Sequence, residues 1–414
     1  MGPRIVVTGI GAVTPVGTGR EEVWSALLAG RSGFSPVETF DTSRYPVHVG
    51  AEVRGFDPAR HLRRLAPDEL GRASQLAVAA GRLALADAGL DTGGLDTAGL
   101  DTDGLDPERC GVAMGTTSGE PQIVERFDDR VAADELDRVD GEFMDRYPSQ
   151  LIAANLAAET GFAGPVTMIP TACAAGNYAV AHAFDVLRAG RADLMLAGGA
   201  DCFSRITYTG FARLGAIAPD RCRPFDRNRQ GMIPGEGAAV LVLETAERAE
   251  ARGARVWAEI ASYGLTCDAH HMTAAHPEGD GAARAMEEAL AAGGLGPDDV
   301  SYVSAHGTGT PTNDRLEAAA VRRVFGERRV PVSSIKSMIG HTMGAASAIE
   351  AAVCALAVTD DRVPPTANFE EPDPECDLDC VPNEAREMPV EVAMNNAYAF
   401  GGNNASVIFR KWRP

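Results

Sequence analysis

The feature that most constrains the fold is the alternation of strand-like and helix-like segments along the whole 414-residue chain. Short runs of Val, Ile, Leu and Ala alternate with longer segments whose apolar residues recur at helical spacing. Such alternation predicts a layered α/β protein with buried sheets. The predicted strands are 5–13, 111–115, 166–169, 194–198, 238–244, 257–265, 300–305, 330–335, 391–397 and 405–411, and the predicted helices are 21–29, 73–88, 149–160, 177–187, 281–292, 314–325 and 345–358.

The chain divides into two parts that open alike. Each begins with a strand rich in Val, Ile and Ala that runs into glycine, at 5–11 and at 257–264. We therefore predict a first half over 1–255 and a second half over 256–414, related by an internal duplication. The segment 89–106 lacks the strand and helix patterns of the rest of the chain. It repeats Gly-Leu-Asp-Thr with a period of five, which matches neither helix nor strand. We interpret it as an acidic surface loop.

Charge and cysteine content exclude several classes of protein. The chain has 38 Lys and Arg against 58 Asp and Glu, a net charge of −20, which argues against nucleic acid and anionic membranes as general partners. The N-terminus lacks a signal-peptide layout, and no apolar run is long enough to span a bilayer. The eight cysteines are irregularly spaced and include no Cys-x-x-Cys pair, so we expect reduced thiols, no metal site and a cytoplasmic location.

Cys173 lies in the segment that says most about function. It falls between a predicted strand and a predicted helix and is surrounded by very small residues in Thr-Ala-Cys-Ala-Ala-Gly. A helix N-terminus carries partial positive charge, so we expect it to favour the thiolate and to attract a developing oxyanion. The alternative is a packed core cysteine. The segment alone leaves both interpretations open.

Other reactive residue types follow further predicted strands. One strand ends in His306-Gly-Thr-Gly-Thr310, another in Lys336-Ser-Met-Ile-Gly-His341, and a third in the loop Tyr398-Ala-Phe400-Gly-Gly. In layered α/β proteins, sites gather at the carboxyl ends of strands. We therefore expect these residues to meet Cys173.

In this order, the Thr-Ala-Cys-Ala, His-Gly-Thr-Gly-Thr-Pro, Lys-Ser-Met-Ile-Gly-His and Phe-Gly-Gly-Asn-Asn segments resemble the β-ketoacyl-acyl-carrier-protein synthases. The resemblance covers nearly the whole chain. It implies a thiolase fold, with two similar halves stacked as five α-β-α-β-α layers. It also implies an acyltransferase that joins an acyl chain to malonyl-acyl carrier protein with loss of CO2, in polyketide or fatty-acid biosynthesis. Substrates arrive on the phosphopantetheine arm of the carrier protein, and no other cofactor is expected.

The resemblance also implies roles for single residues. Cys173 takes the acyl chain, and its backbone N–H and that of Phe400 bind the oxyanion, while Phe400 also gates the acyl pocket. His306 and His341 hold the malonyl thioester and stabilise its enolate as neutral imidazoles. Lys336 pairs with Glu350, and a structural salt bridge and a catalytic role remain open for this pair. The pantetheine arm is expected to bind Thr308 and Thr310.

Carrier proteins are acidic, so docking on this acidic chain needs local basic residues. The candidates are Arg63, Arg64, Arg72 and Arg205, with solvated surface arginines as the alternative at each. The gate loop departs from the usual family pattern at Ala399 and Asn403. Ala399 replaces a glycine, so we expect the gate to swing less freely. We interpret these departures as a pocket for an unusual acyl chain, such as a polyene or a short branched starter.

Two alternatives share this fold. One is an acyltransferase that passes the Cys173-bound acyl group to another acceptor without decarboxylation. The other is a chain-length-factor-like partner subunit, which Cys173 and the two histidines disfavour. The expected assembly is a homodimer, or a heterodimer with a chain-length factor.

Overall fold

One strand order occurs twice in the computed structural model, which describes residues 2–90, 105–135 and 141–414. The strands are β1 Ile5–Thr14, β2 Gly17–Thr18, β3 Ser35–Pro36, β4 Val49–Gly50, β5 Cys110–Gly115, β6 Val166–Ile169, β7 Leu194–Asp201, β8 Gly237–Thr245, β9 Ala258–Cys267, β10 Tyr302–Ser304, β11 Val332–Ser333, β12 Arg362–Val363, β13 Arg386–Glu387, β14 Val392–Tyr398 and β15 Asn403–Arg410. The helices are α1 Arg20–Leu28, α2 Arg72–Asp87, α3 Pro121–Ala132, α4 Glu142–Arg146, α5 Leu151–Thr160, α6 Ala175–Arg188, α7 Arg205–Arg213, α8 Ala246–Ala251, α9 Asp280–Gly293, α10 Pro311–Phe325, α11 Lys336–Ile339 and α12 Ala346–Asp360.

The first half contributes strands in the spatial order β6-β5-β7-β8-β1, and the second half contributes β11-β10-β14-β15-β9. In each half this is the order third, second, fourth, fifth, first. The halves join where β1 pairs with β9 in antiparallel fashion, through Ile5 opposite Ile260 and Val7 opposite Ala258. The repeated order is what an internal duplication produces. The exact division at 255/256 stays a prediction.

Helices α6 and α12 form the layer between the two halves. Helix α12 packs against strands of both halves and against α6, while α2 and α5 cover the outer face of the first half and α9 covers that of the second. Every residue from 346 to 358 is buried, and most are alanine, valine or serine. Small side chains let this helix approach a sheet on either side. The result is the five-layer thiolase architecture expected from the sequence.

The same helix accounts for the one membrane-like stretch of the described chain. Contrary to the expectation from the sequence, residues 343–360 are long and apolar enough to cross a bilayer, yet 89% of that stretch is buried inside the fold. It is a core helix by position.

Several sequence-based expectations need correction. The strand 166–169 was expected to be buried, but β6 is the outermost strand of its half and Val166 is exposed. Helices α3, α4, α7, α8 and α11 were not predicted, because they are short or bury few apolar residues. Of the repeat at 89–106, residues 91–104 lie outside the described residues.

Candidate functional site

Cys173 sits in a tight turn that joins β6 to α6. The turn, Ala172–Ala174, begins with Ala172 in a conformation of positive φ, 50°, which is uncommon for a residue other than glycine. Just beyond it, a Cβ on Gly176 would lie 2.5 Å from the backbone nitrogen of Ala348 in α12. Only glycine permits this close crossing of the two central helices. The crossing fixes Cys173 between the two halves.

The structure brings the predicted reactive residues together. The nearest ligating atoms of Cys173, His306 and His341 all lie within 4.8 Å of one another, and all three residues are buried. The two imidazole rings meet edge to face, with centroids 5.5 Å apart. Each residue follows the carboxyl end of a strand or the short helix after it, so the expectation of one common site is confirmed.

Hydrogen bonds to the backbone of both histidines fix their positions. The His341 N–H donates to the Ile233 carbonyl at 2.7 Å, and the His341 carbonyl accepts from Gly235 N–H at 2.9 Å. Glu317 accepts from the backbone N–H groups of His306 and Gly307 at 2.8 and 2.7 Å. Sequence reasoning missed Glu317, which lies one turn into α10. The available signal was a Glu within the partly apolar helical segment that follows the His-Gly-Thr strand end.

Lys336 and Glu350 form a buried ion pair beside this site. Lys336 Nζ donates to Glu350 Oε1, and both side chains are essentially inaccessible to solvent. Burial raises the pKa of Glu350 to about 7, and the Lys336 charge opposes that rise. The pairing expected from the sequence is therefore present.

Both histidines are neutral near pH 7. Burial, and then the neighbouring Lys336 charge, push the pKa of His306 and of His341 well below the ordinary value. His341 Nδ1 accepts a hydrogen bond from Met343 N–H at 3.2 Å. Because a neutral imidazole carries one proton, that proton is on Nε2. His341 therefore presents a donor.

The expectation of a resting thiolate is wrong. Burial raises the pKa of the Cys173 thiol to about 12, and the Lys336 charge only partly opposes this rise. Cys173 is 8% exposed, so water contributes little to solvating a thiolate. The sulfur rests as a thiol and must pass its proton to a base when it reacts.

Alkylation of Cys173 tests this protonation state. With a thiol pKa near 12, the labelling rate with iodoacetamide should rise about tenfold per pH unit from pH 6 to 9, because only the thiolate reacts. Peptide mapping separates Cys173 from the exposed Cys267. A rate that levels off near pH 7 would show a stabilised thiolate and contradict the assignment.

A cleft opens onto the three reactive residues. Thr308 and Thr310 line it, and their hydroxyls share a hydrogen bond of 2.8 Å. Phe400 lies at its mouth, 40% exposed, with its ring centroid 5.9 Å from that of Phe211. No backbone hydrogen bond to another residue uses the N–H of Cys173 or Phe400 within the described chain. The cleft thus combines a thiol, imidazoles, hydroxyls and free backbone donors.

The gate loop does not place Ala399 where glycine is needed. Ala399 is extended, with φ −130° and ψ 155°, which any residue adopts. Gly401 and Gly402 take the positive angles, with φ 85° and 79°. The expected restriction of the gate through Ala399 therefore has no basis in this conformation.

Tyr398 carries a buried hydroxyl that has no hydrogen-bond partner among the described residues. Its ring lies 5.8 Å from that of His306 in the wall of the cleft. An unsatisfied buried hydroxyl costs about 1–3 kcal/mol. A Tyr398→Phe variant should therefore unfold at the same or a higher temperature, with ΔG of unfolding raised by about 1 kcal/mol in urea titrations. A marked loss of stability would reveal a partner for the hydroxyl.

The arginines expected to dock a carrier protein differ in their surroundings. Arg63 and Arg64 are exposed. Arg72 is not a free cation, since its guanidinium bonds Glu236 at 2.9 Å and the Val53 carbonyl at 2.9 Å. Arg205 is partly exposed but pairs with Asp129. Arg72 is therefore a structural residue, and docking at the other three stays a prediction.

Comparison with known proteins agrees with this site. Residues 3–249 match the model of the β-ketoacyl synthase N-terminal domain, and residues 257–370 match that of its C-terminal domain. The chain is 39% identical to 3-oxoacyl-[acyl-carrier-protein] synthase 2 of Synechocystis sp., over 99% of this chain and 98% of the relative. The Staphylococcus aureus protein of the same name is 38% identical, again over 99% and 98%.

Solved structures are similar over the full length. The ishigamide ketosynthase/chain length factor aligns with a TM-score of 0.94 and 42% identity over all of both chains. A type II polyketide synthase acyl-carrier protein in complex with its ketosynthase aligns with a TM-score of 0.90 and 32% identity, also over all of both chains. A β-ketoacyl synthase from Burkholderia phymatum aligns with a TM-score of 0.89 and 37% identity, over 99% of this chain and 100% of that one.

Proposed function

The chain belongs to the β-ketoacyl synthase family, and we propose that it joins an acyl group held on Cys173 to malonyl-acyl carrier protein, with loss of CO2, to give β-ketoacyl-acyl carrier protein. One observation carries the assignment of roles. A thiol and two neutral imidazoles lie within 4.8 Å of one another at the base of an open cleft.

In the first step, Cys173 attacks the carbonyl of an acyl-carrier-protein thioester. Its proton passes to an imidazole as the new C–S bond forms, because the resting group is a thiol. The free N–H groups of Cys173 and Phe400 stabilise the oxyanion. The tetrahedral intermediate then expels the carrier thiolate, which takes up that proton. The products are acyl-Cys173 and a free carrier protein.

In the second step, the malonyl thioester loses its carboxylate as CO2, and the electron pair of the broken C–C bond moves into an enolate. His341 Nε2–H donates to the enolate oxygen, with His306 beside it. The enolate carbon attacks the acyl-Cys173 carbonyl, and collapse of the intermediate expels the Cys173 thiolate. The thiolate then takes up a proton from solvent water, the one proton that the overall reaction consumes. Neutral imidazoles suit this step, because a cationic imidazolium would hold the malonyl carboxylate as an ion pair.

The reaction as proposed needs no metal and no cofactor besides the pantetheine arm. The thiol and imidazoles are close enough to hold a metal ion, but every step above uses their protons or lone pairs on the substrate. Thr308 and Thr310 line the route that an arm would take to Cys173.

Intact-protein mass spectrometry with a His341→Ala variant tests the proposal. The wild type should gain the acyl mass on Cys173 and then yield a β-ketoacyl carrier protein. The variant should still load but condense about 10²–10⁴-fold more slowly, since it lacks the enolate donor. A protein that loads and transfers the acyl group without releasing CO2 would instead support the non-decarboxylating alternative.

We also infer that the working unit contains two ketosynthase-fold chains. Strand β6 ends the sheet of the first half, and Val166 on it is 43% exposed, so a second chain can extend the sheet there. One similar solved structure is the ishigamide ketosynthase/chain length factor, so a chain length factor and a second copy of this chain are the two candidate partners. Light scattering of the purified chain distinguishes a homodimer from a monomer that waits for a partner.

A further inference from the structure

The internal duplication gives the nucleophile turn a counterpart in the second half. The turn Met343–Ala345 precedes α12 as Ala172–Ala174 precedes α6. Met343 has φ 53°, matching the φ 50° of Ala172. In this correspondence Gly344 takes the place of Cys173. The second turn therefore keeps the strained shape of the first but carries no nucleophile.

Asp201, the last residue of β7, holds this second turn. Its buried carboxylate accepts from Gly344 N–H at 2.7 Å, Thr117 N–H at 2.8 Å, and Thr116 Oγ1 and Ser118 N–H at 2.9 Å. A Cβ on Gly344 would lie 2.8 Å from Asp201 Oδ2 and 2.7 Å from the Thr117 nitrogen. Gly344 is thus pressed onto the carboxylate, and one buried anion ties the β5 loop of the first half to the second-half turn.

The second-half turn also forms a hydrogen bond with His341. Met343, the residue before Gly344, donates its backbone N–H to His341 Nδ1 at 3.2 Å. That bond is what assigns the proton of the neutral imidazole to Nε2. An unstrained turn would rotate the Met343 N–H away, because a positive φ at a side chain with a Cβ persists only when its surroundings hold it.

We propose that Asp201 is a positioning residue for condensation: through Gly344 it holds Met343 in the conformation that fixes the tautomer and direction of His341. The expected effect of Asp201 on the condensation rate rests on the proposed function. Its expected effect on the His341 tautomer does not. Asp201 itself touches no substrate. The second-half counterpart of the nucleophile turn thereby supports His341, the enolate donor.

The test is an Asp201→Asn variant, because the amide keeps the size of the side chain but replaces one acceptor oxygen with a donor. Acyl loading of Cys173, followed by mass spectrometry, should stay within about threefold of wild type. Condensation should fall at least tenfold. Spectra of ¹⁵N-histidine-labelled protein should show the Nε2–H tautomer for His341 in the wild type and its partial loss in the variant. An unchanged tautomer, or an equal fall in loading and condensation, would overturn the proposal.

Glu120→Gln is the matched control. Glu120 is a second buried carboxylate of the first half, which accepts from the backbone N–H groups of Ala73 and Ser74 at the start of α2. It should lower thermal stability without changing the ratio of condensation to loading. Should Asp201→Asn fail to fold, Asp201→Glu keeps the charge, displaces it by one methylene and gives the same readouts. If the wild type itself fails to condense, the proposed function fails, while the tautomer measurement still decides the role of Asp201.

Discussion

A Cys173→Ala variant should gain no acyl mass from any acyl-carrier protein and should lose condensation by about 10⁴-fold or more. The methyl group has no lone pair with which to open the thioester, so the first covalent step disappears. The fold should survive, because Cys173 lies in a turn lined by alanines and the change removes one sulfur atom. Circular dichroism and mass spectrometry on the same sample check both statements.

The control is Cys267→Ala, which removes the exposed cysteine of the described chain. It should load and condense like the wild type, because the sulfur that reacts is the one beside the two histidines. Acyl transfer that persists in Cys173→Ala and disappears in Cys267→Ala would move the nucleophile to the surface and remove the basis of the proposed function.

The fold was largely predictable because periodicity reports burial. Strands β1, β7 and β8 are buried on both faces, so their sequences are continuous apolar runs. The exposed edge at Val166 was not predictable, because the apolar residues of β6 resemble those of a central strand. Helix α7 was missed for a related reason, because only Tyr208 among its residues is buried.

The site was predictable in its residue types but not in its electrostatics. Strand ends identified Cys173, His306 and His341, because that position is shared by most α/β sites. The protonation state of Cys173 was not predictable, because burial dominates it and the Cys173 turn is covered by α12, β14 and β15, which are distant in sequence. The role of Asp201 was not predictable either. Its partners Thr116 and Gly344 are 228 positions apart in the chain, a separation that no local pattern encodes.

A Lys336→Met variant should lose about 3–5 kcal/mol of unfolding free energy at high pH and much less below pH 7. Glu350 explains the dependence. Its pKa in the folded wild type is about 7, with Lys336 keeping it from rising further, whereas the unfolded glutamate titrates near 4.5. A raised pKa in the folded state means that stability is lost as pH rises through that pKa. The wild type stops losing stability near pH 7, while the variant, whose Glu350 holds its proton longer, continues to lose about 1.4 kcal/mol per pH unit.

Urea titrations at pH 6.0, 7.5 and 9.0 measure this difference, and the double variant Lys336→Met/Glu350→Leu interprets it. Replacing both charges with apolar side chains of similar size removes the ionisable pair, so the loss of stability should be small and independent of pH. A loss of stability in Lys336→Met that does not change with pH would contradict the raised pKa assigned to Glu350.

The double variant also separates the two roles of the Lys336–Glu350 pair that the sequence left open. Full condensation activity makes the pair a structural salt bridge. A folded double variant that still loads Cys173 but condenses more than tenfold slower shows that the Lys336 charge acts on the histidines, whose pKa it lowers.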